Sequence, residues 1–349
     1  MGSHSDEFKT GRREFLQTGL LAAGTTVLAG AADRAAAADG ANTAAVPRRK
    51  FGRHSDEVSI LGIGGFHIGK AASLKEAIQI VAEAIDAGLN FFDNAWEYND
   101  HRSEEWMGEA LAGKRDKVFL MTKVCTHGRD KKVAMRQLEE SLKRLKTDHL
   151  DLWQIHEVVY DNDPDLHFAP GGVIEALDQA KKDGKTRYVG FTGHKHPNTH
   201  LKMLAHDYPF DSVQMPLNCF DGTFRSFEQH VLPVVNSRGI AALGMKSLGG
   251  DGQPILHGVV TVEEALRYAM SLPVVTTISG IDSLAVLKQN LSIARGFQPM
   301  MAAEMDALRN RCAPFAADGH LELYKSTVKY DADVGRAQHG YPTVQEMPL

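Results

Sequence analysis

Four polar residues stand where apolar runs of the sequence stop, or shortly after. The run "LNFF" stops at Asp93, and Tyr98 follows in a polar stretch. The runs "KVFLMTK" and "LDLWQIH" stop in the same way at Lys123 and His156. A carboxylate, a phenol, an ammonium and an imidazole are groups that proteins use to move a proton to or from a reacting oxygen atom.

The four side chains form a chemically consistent proton-transfer set. A tyrosine hydroxyl titrates near about 10, so exchanging protons near neutral pH calls for a lower pKa. An ammonium such as that of Lys123 lowers the pKa by favouring the phenolate, and in a closed pocket it needs a carboxylate partner such as Asp93. A histidine can orient a carbonyl oxygen beside the phenol. We therefore predict that Asp93 stabilises Lys123, which lowers the pKa of Tyr98.

These residues need a scaffold that gathers several strand ends, and the chain alternates accordingly. The predicted strands are "VSILGIG", "LNFF", "KVFLMT", "LDLWQI", "TRYVGF", "FDSVQM", "GIAALG" and "PVVTTIS". The predicted helices cover residues 74–88, 102–113, 131–146, 171–183, 197–206, 223–237, 261–271 and 283–295, with one more at 301–311 in the tail. Continuously apolar strand runs are typical of parallel strands covered on both faces.

About eight strand–helix units predict a (β/α)8 TIM barrel. The polar turn at His54 to Asp56 predicts an N-terminal β-hairpin before it. The alternative is a doubly wound open sheet, which would require GxGxxG after its first strand. The nearest match, Leu61 to Gly65, lacks the third glycine at that spacing.

In a barrel, the active site gathers at the carboxyl ends of the strands. Besides the four residues above, Thr192 ends the fifth strand and His194 follows it, while Gln214 lies near the end of the sixth. A single polar residue at a strand end is more often a structural hydrogen-bonding group. The combination at one face is what indicates a catalytic site.

The spacing of these residues resembles the aldo/keto reductase superfamily over residues 49 to 297. The motifs are D-x-A-x-x-Y followed by S-E-x-x-x-G in "DNAWEYNDHRSEEWMGEAL", then T-K, then D-L-x-x-x-H. The resemblance implies that Asp93, Tyr98, Lys123 and His156 are a catalytic tetrad with Tyr98 as general acid/base. It also implies a cofactor, NADP(H) or NAD(H), and a small-molecule carbonyl or alcohol substrate.

The resemblance also assigns a cofactor site, with two departures from the family pattern. The assigned residues are Thr192, Gly193, Gln214, Met245, Lys246, Ser247, Leu248, Gly280, Asp282, Ser283, Lys288 and Asn290. Met245 or Lys246 stands where the family often has an aromatic residue that stacks on the nicotinamide. Asp282 stands near the expected 2′-phosphate pocket, where only Lys288 offers positive charge. Because an acid repels a phosphate and can accept from a ribose hydroxyl, we hypothesise that NAD is accepted.

Polar and aromatic residues near the strand ends predict a pocket for a hydroxylated substrate such as a sugar. The candidates are Trp96, His127, His194 and Phe220, with Glu157 and Trp153 also considered. For Trp153, inside the fourth strand, a place in the core is an equal alternative. The histidines at this face match no standard ligand spacing, so we predict no metal. The two in "TGHKHP" are interpreted as surface-loop residues.

The ends of the chain differ from its middle. Residues 1–45 carry Arg12 and Arg13, a mildly apolar stretch rich in small residues, and an alanine run. This plan predicts a Tat-type (twin-arginine) signal peptide and linker, export to the periplasm, and the Tat machinery as a partner during transport. The alternatives are a frayed tail or a single membrane anchor, although the stretch holds too many Gly and Thr residues for a good span. Residues 46–298 form the predicted barrel, and residues 299–349 a C-terminal extension that packs on it.

Composition limits the remaining function classes. The net charge is −5, which argues against nucleic acid as a partner. The three cysteines are far apart and include no CxxC, so we predict buried free thiols, with one disulfide as the most that can form.

Two other functions remain open from the sequence. One is a redox-sensing or binding module on the same fold, and the other is a glycosidase using Asp93 and Glu157. A third hypothesis concerns the cofactor: an exported enzyme that folds first could hold it tightly through transport and oxidise a sugar transiently.

Overall fold

The structure is a computed structural model and describes residues 44–125, 129–331, 333–338 and 341–343. It begins with a hairpin of two antiparallel strands, β1 (Arg48–Lys50) and β2 (Glu57–Ser59). The predicted N-terminal hairpin is therefore present.

Eight parallel strands follow and close into a barrel in the order β10-β3-β4-β5-β6-β7-β8-β9. They are β3 (Leu61–Gly64), β4 (Phe91–Asp93), β5 (Phe119–Val124), β6 (Leu150–Ile155), β7 (Thr186–Thr192), β8 (Ser212–Pro216), β9 (Ala241–Met245) and β10 (Thr276–Gly280). Strands β10 and β3 close the barrel, with Ile278 opposite Gly62. The predicted (β/α)8 TIM barrel is confirmed.

Helices occupy the connections between strands and the C-terminal tail. Up to β8 they are α1 (Gly65–Ile68), α2 (Leu74–Asp86), α3 (Arg102–Ala110), α4 (Lys131–Leu145), α5 (Asp163–Phe168), α6 (Val173–Lys182) and α7 (Pro197–Ala205). After β8 they are α8 (Phe227–His230), α9 (Leu232–Ser237), α10 (Gln253–Leu256), α11 (Val262–Ser271), α12 (Leu284–Arg295), α13 (Ala302–Ala316), α14 (Leu323–Ser326) and α15 (Asp333–Gln338).

Polar caps fix the starts of the longer helices. The side chains of Ser73 and Asp130 accept backbone N–H groups of the first turns of α2 and α4. Thr261 and Glu264 form a reciprocal capping box at the start of α11. Each cap satisfies backbone donors that the helix itself leaves unpaired, so the strand-to-helix transitions occur at defined residues.

Three predicted elements differ from the observed ones. The run "VSILGIG" is divided between the hairpin strand β2 and the barrel strand β3. The predicted helix at 223–237 is two short helices, since the chain breaks its helical pattern at Val231, just before a proline in the first turn of α9. The tail helix α13 extends to Ala316 despite an internal Pro314.

The core confirms two predictions made from residue type. Trp153 is fully buried inside β6. Of the two alternatives for this residue, a pocket or the core, the core is therefore correct. All three cysteines are buried free thiols. The thiols of Cys219 and Cys312 contact each other, and this hydrogen bond raises the pKa of Cys219 and lowers that of Cys312. The pair joins the segment after β8 to helix α13 of the tail.

The segment around α14 lies against the carboxyl end of β8. The amide of Asn218 donates to Glu322 Oε1 at 3.1 Å and to the Tyr324 hydroxyl at 2.9 Å. Lys325, with a fully buried side chain, pairs with Asp221 at 2.6 Å. The part of the tail that the structure describes therefore reaches the catalytic end of the barrel. Among the described residues, no helix is both long enough and apolar enough to cross a membrane.

Candidate active site

Asp93, Lys123 and Tyr98 meet at the carboxyl ends of β4 and β5. The Lys123 ammonium donates to the Asp93 carboxylate and, at 2.7 Å, to the carbonyl oxygen of Asn94. It also lies 3.3 Å from the Tyr98 hydroxyl oxygen. Both members of the ion pair are almost completely buried, and because a buried ammonium requires such partners, the pair fixes the cation beside the phenol.

The predicted lowering of the Tyr98 pKa is wrong. Burial, followed by the negative charges of Asp93, Glu97 and Glu157, raises the pKa of Tyr98 well above its usual value. Burial penalises the phenolate, and three carboxylates repel it. Since Lys123 shares its charge with Asp93, it does not reverse this effect, and the phenol keeps its proton at neutral pH.

His156 faces Tyr98 from the end of β6. The two rings meet edge to face with their centroids 5.5 Å apart. The Nδ1 atom of His156 is hydrogen-bonded to the carboxylate of Glu97. Burial raises the pKa of Glu97, but the neighbouring His156 outweighs burial, so the pKa is lowered overall and the ionised carboxylate can only accept. This contact orients the imidazole and leaves Nε2 as the nitrogen available to a substrate.

Gln214 and Lys246 are the assigned cofactor residues with the most distinctive environments. Gln214 is buried, and its Oε1 has no hydrogen-bond partner in the described part of the chain; its Nε2 lies 3.6 Å from Met245 Sδ. The Lys246 ammonium lies over the rings of Tyr324 and Tyr330, at 5.2 and 4.8 Å from their centroids. Burial lowers the pKa of Lys246 to about 8.

Two of the assigned glycines allow close approach instead of offering a side chain. A β-carbon at Gly193 would lie 2.2 Å from the carbonyl oxygen of Val158, and one at Gly280 would lie 2.4 Å from the ring of His67. Gly193 can therefore offer only backbone groups to a cofactor.

The remaining assigned cofactor residues lie around the carboxyl ends of β7, β9 and β10. Thr192 and Ser247 are buried, and Leu248 and Asp282 are half-buried. Ser283 caps α12 by accepting from the backbone of Val286. Asn290 is buried and donates to Ser279 Oγ at 2.8 Å, whereas Lys288 is exposed.

The candidate pocket residues do not all lie together. Phe220 is buried in the hydrophobic core, so its prediction as a pocket residue is wrong; residue type alone did not show which way the ring points. Trp96 donates to Glu140 Oε2 of α4 at 2.8 Å, so its indole turns towards this helix. His194 is buried, which corrects its interpretation as a surface-loop residue. His127 lies outside the described residues.

Two groups of site residues were missed from the sequence. Glu97 directly precedes Tyr98 in a polar stretch, where an extra acid carries no distinguishing pattern. Tyr324 and Tyr330 come from a tail with no clear periodicity, although each ring lies edge-on to His194, with centroid distances of 6.2 and 6.5 Å. The stretch "ELYK" reads as an ordinary polar segment, so the sequence offered no signal for these residues.

Comparison with known proteins decides the family. Residues 60–252 match the aldo/keto reductase family. The chain belongs to the aldo/keto reductase family. It is 26% identical over 304 residues to the uncharacterized oxidoreductase YqkF of Bacillus subtilis, covering 75% of this chain and 95% of that protein. It is 28% identical over 228 residues to L-galactose dehydrogenase of Arabidopsis thaliana, covering 60% of this chain and 69% of that protein.

A solved structure gives the same answer for the fold. The holo form of an aldo-keto reductase from Bacillus halodurans superimposes with a TM-score of 0.65 at 23% identity, covering 76% of this chain and 96% of that one. The family membership confirms that this aldo/keto reductase is an oxidoreductase enzyme that works with NAD(P)(H).

Proposed function

We propose that this aldo/keto reductase interconverts a carbonyl and an alcohol, with Tyr98 as the general acid/base of the proton transfer. The observation that carries the proposal is the Lys123 ammonium, 3.3 Å from the Tyr98 hydroxyl and held there by Asp93. Because the ammonium donates towards the phenol oxygen, it stabilises the negative charge that appears there when Tyr98 gives up its proton. The nicotinamide, when bound, supplies or accepts the hydride.

The raised pKa supports Tyr98 as the proton donor in reduction. Tyr98 is protonated at neutral pH and donates its hydroxyl proton to the carbonyl oxygen as that oxygen becomes negative. His156 is held by Glu97 through Nδ1, so its Nε2 is the ring nitrogen that can hydrogen-bond with the same oxygen. In alcohol oxidation the same groups work in reverse, with Lys123 stabilising the phenolate that must accept the proton.

The residues of this chain fit a nicotinamide dinucleotide. The buried Oε1 of Gln214 has no partner among the described residues and is an acceptor suited to a carboxamide N–H, because a buried polar atom is stabilised only when it finds a partner. Lys246 makes no ion pair within the described part of the chain and lies over two tyrosine rings. It is therefore a cation suited to the phosphates of the dinucleotide.

We expect dinucleotide affinity to depend on the protonation of Lys246. The pKa of this lysine is lowered to about 8, so its ammonium is present below that pH and lost above it. Affinity should therefore fall roughly tenfold between about pH 7 and about pH 9, the size of one charge-assisted hydrogen bond. Titrating NADH and NADPH into wild type and Lys246→Met at both pH values checks this, and the variant should show a flat profile. A wild-type profile as flat as that of the variant would contradict it.

The same titration tests the cofactor choice. Asp282 is half-buried after β10, and Lys288 on α12 is exposed, which supports acceptance of NAD as well as NADP. A preference of more than about tenfold, or 1.4 kcal/mol, for NADPH over NADH would remove this part of the proposal.

For the substrate we propose a small hydroxylated carbonyl compound or the corresponding alcohol. Polar side chains and tyrosine rings surround the site together, as in pockets that bind sugars. The likeness to L-galactose dehydrogenase of Arabidopsis thaliana supports a sugar-like substrate. The activity is tested by mixing the enzyme with NADPH or NADH and a panel of aldehydes and following the loss of nicotinamide absorbance. No turnover with any of these aldehydes, and none with the corresponding alcohols and oxidised cofactor, would overturn the proposal.

We also propose export through the Tat pathway, on the strength of Arg12, Arg13 and the apolar stretch that follows them. Replacing both arginines by lysine should keep the protein in the cytoplasmic fraction of a host that has the pathway. Equal export of both forms would contradict the proposal. If the cofactor stays bound during transport, freshly purified exported enzyme should contain it. Denaturing the enzyme and filtering it should then release near-stoichiometric dinucleotide into the filtrate.

A further inference from the structure

Glu157 and His194 form a buried polar pair beside the proposed catalytic residues. They follow the neighbouring strands β6 and β7, and the Val158 N–H donates to the Thr192 carbonyl at 2.8 Å, which ties the two segments together. The side chains of Glu157 and His194 are only 6% and 8% exposed. Glu157 adopts φ 61°, a strained conformation for a residue with a β-carbon that occurs preferentially at functional sites.

The distance within the pair leaves a hydrogen-bonding position open. His194 Nε2 lies 3.8 Å from Glu157 Oε1, beyond hydrogen-bond range, and Nε2 has no hydrogen-bond partner in the described part of the chain. Leaving such a buried atom unsatisfied is unfavourable. A hydroxyl group placed between the two atoms can donate to the carboxylate and hydrogen-bond with the imidazole at the same time.

The position adjoins the proposed catalytic residues. Glu157 is the residue after His156 in the chain, and its charge contributes to the raised pKa of Tyr98 and acts on Lys246. On the other side, the rings of Tyr324 and Tyr330 lie edge-on to His194. Burial lowers the pKa of His194 well below its usual value, so the ring is neutral and suited to a neutral ligand.

A metal ion is the competing occupant, because Glu157, His194 and Asp331 present ligand atoms within 4.8 Å of one another. The surrounding charges oppose it. Lys195 contacts both carboxylate oxygens of Asp331, at 2.5 and 2.6 Å, and the Arg336 guanidinium lies 3.8 Å from the same carboxylate. Since Asp331 is already neutralised by cations, the cluster lacks the negative charge that favours a buried divalent ion.

We propose that Glu157 and His194 bind a hydroxyl group that the substrate carries besides its reacting oxygen, so that the enzyme selects hydroxylated aldehydes and ketones. The inference rests on the proposed function and deepens it, since it assigns the specificity of the same site to two named side chains. A site built to hydrogen-bond a hydroxyl discriminates strongly against the analogue that lacks it, here because the buried Nε2 of His194 then has no partner among the described residues.

The test compares glyceraldehyde with propanal, which has the same carbon chain without the hydroxyls. The measured quantity is the ratio of kcat/KM for the two aldehydes in each variant relative to wild type, because this double ratio cancels their different intrinsic reactivities. We expect His194→Leu and Glu157→Leu to lower the ratio by about 100-fold. His194→Gln, which keeps a polar group at this position, should retain part of the preference for glyceraldehyde over propanal.

The matched control is His196→Asn. His196 lies two residues further along and accepts the Asn198 N–H at the start of α7, a capping role that asparagine also performs. Its aldehyde ratio should equal that of wild type, and thermal melting of all variants excludes loss of folding as the cause.

The outcomes separate the two proposals. If the wild-type enzyme reduces propanal and His194→Leu keeps the wild-type ratio, the hydroxyl site is overturned and the reductase function stands. If the wild-type enzyme reduces neither aldehyde nor any other carbonyl compound, both are overturned. Stoichiometric binding of Zn²⁺ in equilibrium dialysis, lost in His194→Leu, would overturn the hydroxyl site in favour of a metal site.

Discussion

Replacing Tyr98 by phenylalanine should lower kcat by about 10²- to 10⁴-fold, the usual contribution of a positioned general acid. The variant lacks only the hydroxyl, while the ring keeps its edge contacts with Phe66 at 5.4 Å and with His156 at 5.5 Å. Lys123 keeps its bonds to Asp93 and to the Asn94 carbonyl. The fold and the affinity for the dinucleotide should therefore be preserved, which equilibrium titration and thermal melting measure beside the steady-state rate.

Tyr188→Phe is the control for the loss of a hydrogen-bonded tyrosine hydroxyl. Tyr188 is near the start of β7, at the opposite end of the barrel, where its hydroxyl donates to Asp56 at 2.5 Å. This variant should keep its catalytic rate. Full turnover by Tyr98→Phe would contradict the proton-transfer role and return the redox-sensing or binding module to consideration.

Replacing Lys325 by methionine should destabilise the protein by about 3–5 kcal/mol, the effect of removing one partner from a buried ion pair. The Lys325 ammonium donates to Asp221 at 2.6 Å, to Glu322 at 3.0 Å and to the Phe224 carbonyl at 3.0 Å. Both side chains of the Lys325–Asp221 pair are fully buried, so the variant leaves two carboxylates without their cation. Differential scanning calorimetry should show a Tm lower by roughly 10 °C.

The exposed neighbour Lys329 supplies the control. Its ammonium pairs with Asp251 at 3.1 Å, but its side chain is 56% exposed, and exposed pairs contribute little. Lys329→Met should therefore shift the Tm by no more than about 2 °C. Equal melting of the two variants would contradict a role of the buried pair in stability.

The pH dependence gives an independent check of the same interaction. Burial raises the pKa of Glu322 even with Lys325 in place, and removal of the cation raises it further. A carboxyl with a raised pKa in the folded state favours folding at low pH, where it is protonated, and loses that contribution as pH rises through the folded-state value. The Tm difference between wild type and Lys325→Met should therefore shrink in mildly acidic buffer.

The barrel was predictable because its signals are local. Continuous apolar runs such as "LDLWQI" become strands with the same bounds, Leu150–Ile155. The strand-end residues Asp93 and Lys123 then meet because a closed parallel barrel brings the carboxyl ends of neighbouring strands together. The motif spacing was enough to find these residues without knowledge of their surroundings.

The electrostatics of the site were not predictable in the same way. Lys123 was expected to lower the pKa of Tyr98, but burial and the two further acids Glu97 and Glu157 reverse the sign. Neither the depth of a side chain nor the carboxylates of other strand ends can be read from a motif. The orientation of Phe220 was missed for a similar reason, since an aromatic residue after a strand is equally suited to a core and to a pocket.

The tail was the least predictable part because its partners are far away in sequence. Lys325 is 104 residues from its partner Asp221, and no periodic pattern connects them. Contacts of this kind depend on the finished barrel and have no local sequence signal.

The segment from Glu322 to Asp331 places Tyr324 and Tyr330 beside His194, and the ribosome makes it after all eight barrel strands. Domains begin to fold while they are being synthesised, so the barrel can close before this segment exists. A nascent chain at that stage has Asp93, Tyr98, Lys123 and His156 in place but has neither Tyr324 nor Tyr330 beside His194. If the proposed hydroxyl site selects the substrate, this selection is acquired later in biosynthesis than the strand-end residues, and premature termination between these two stages would yield a barrel without it.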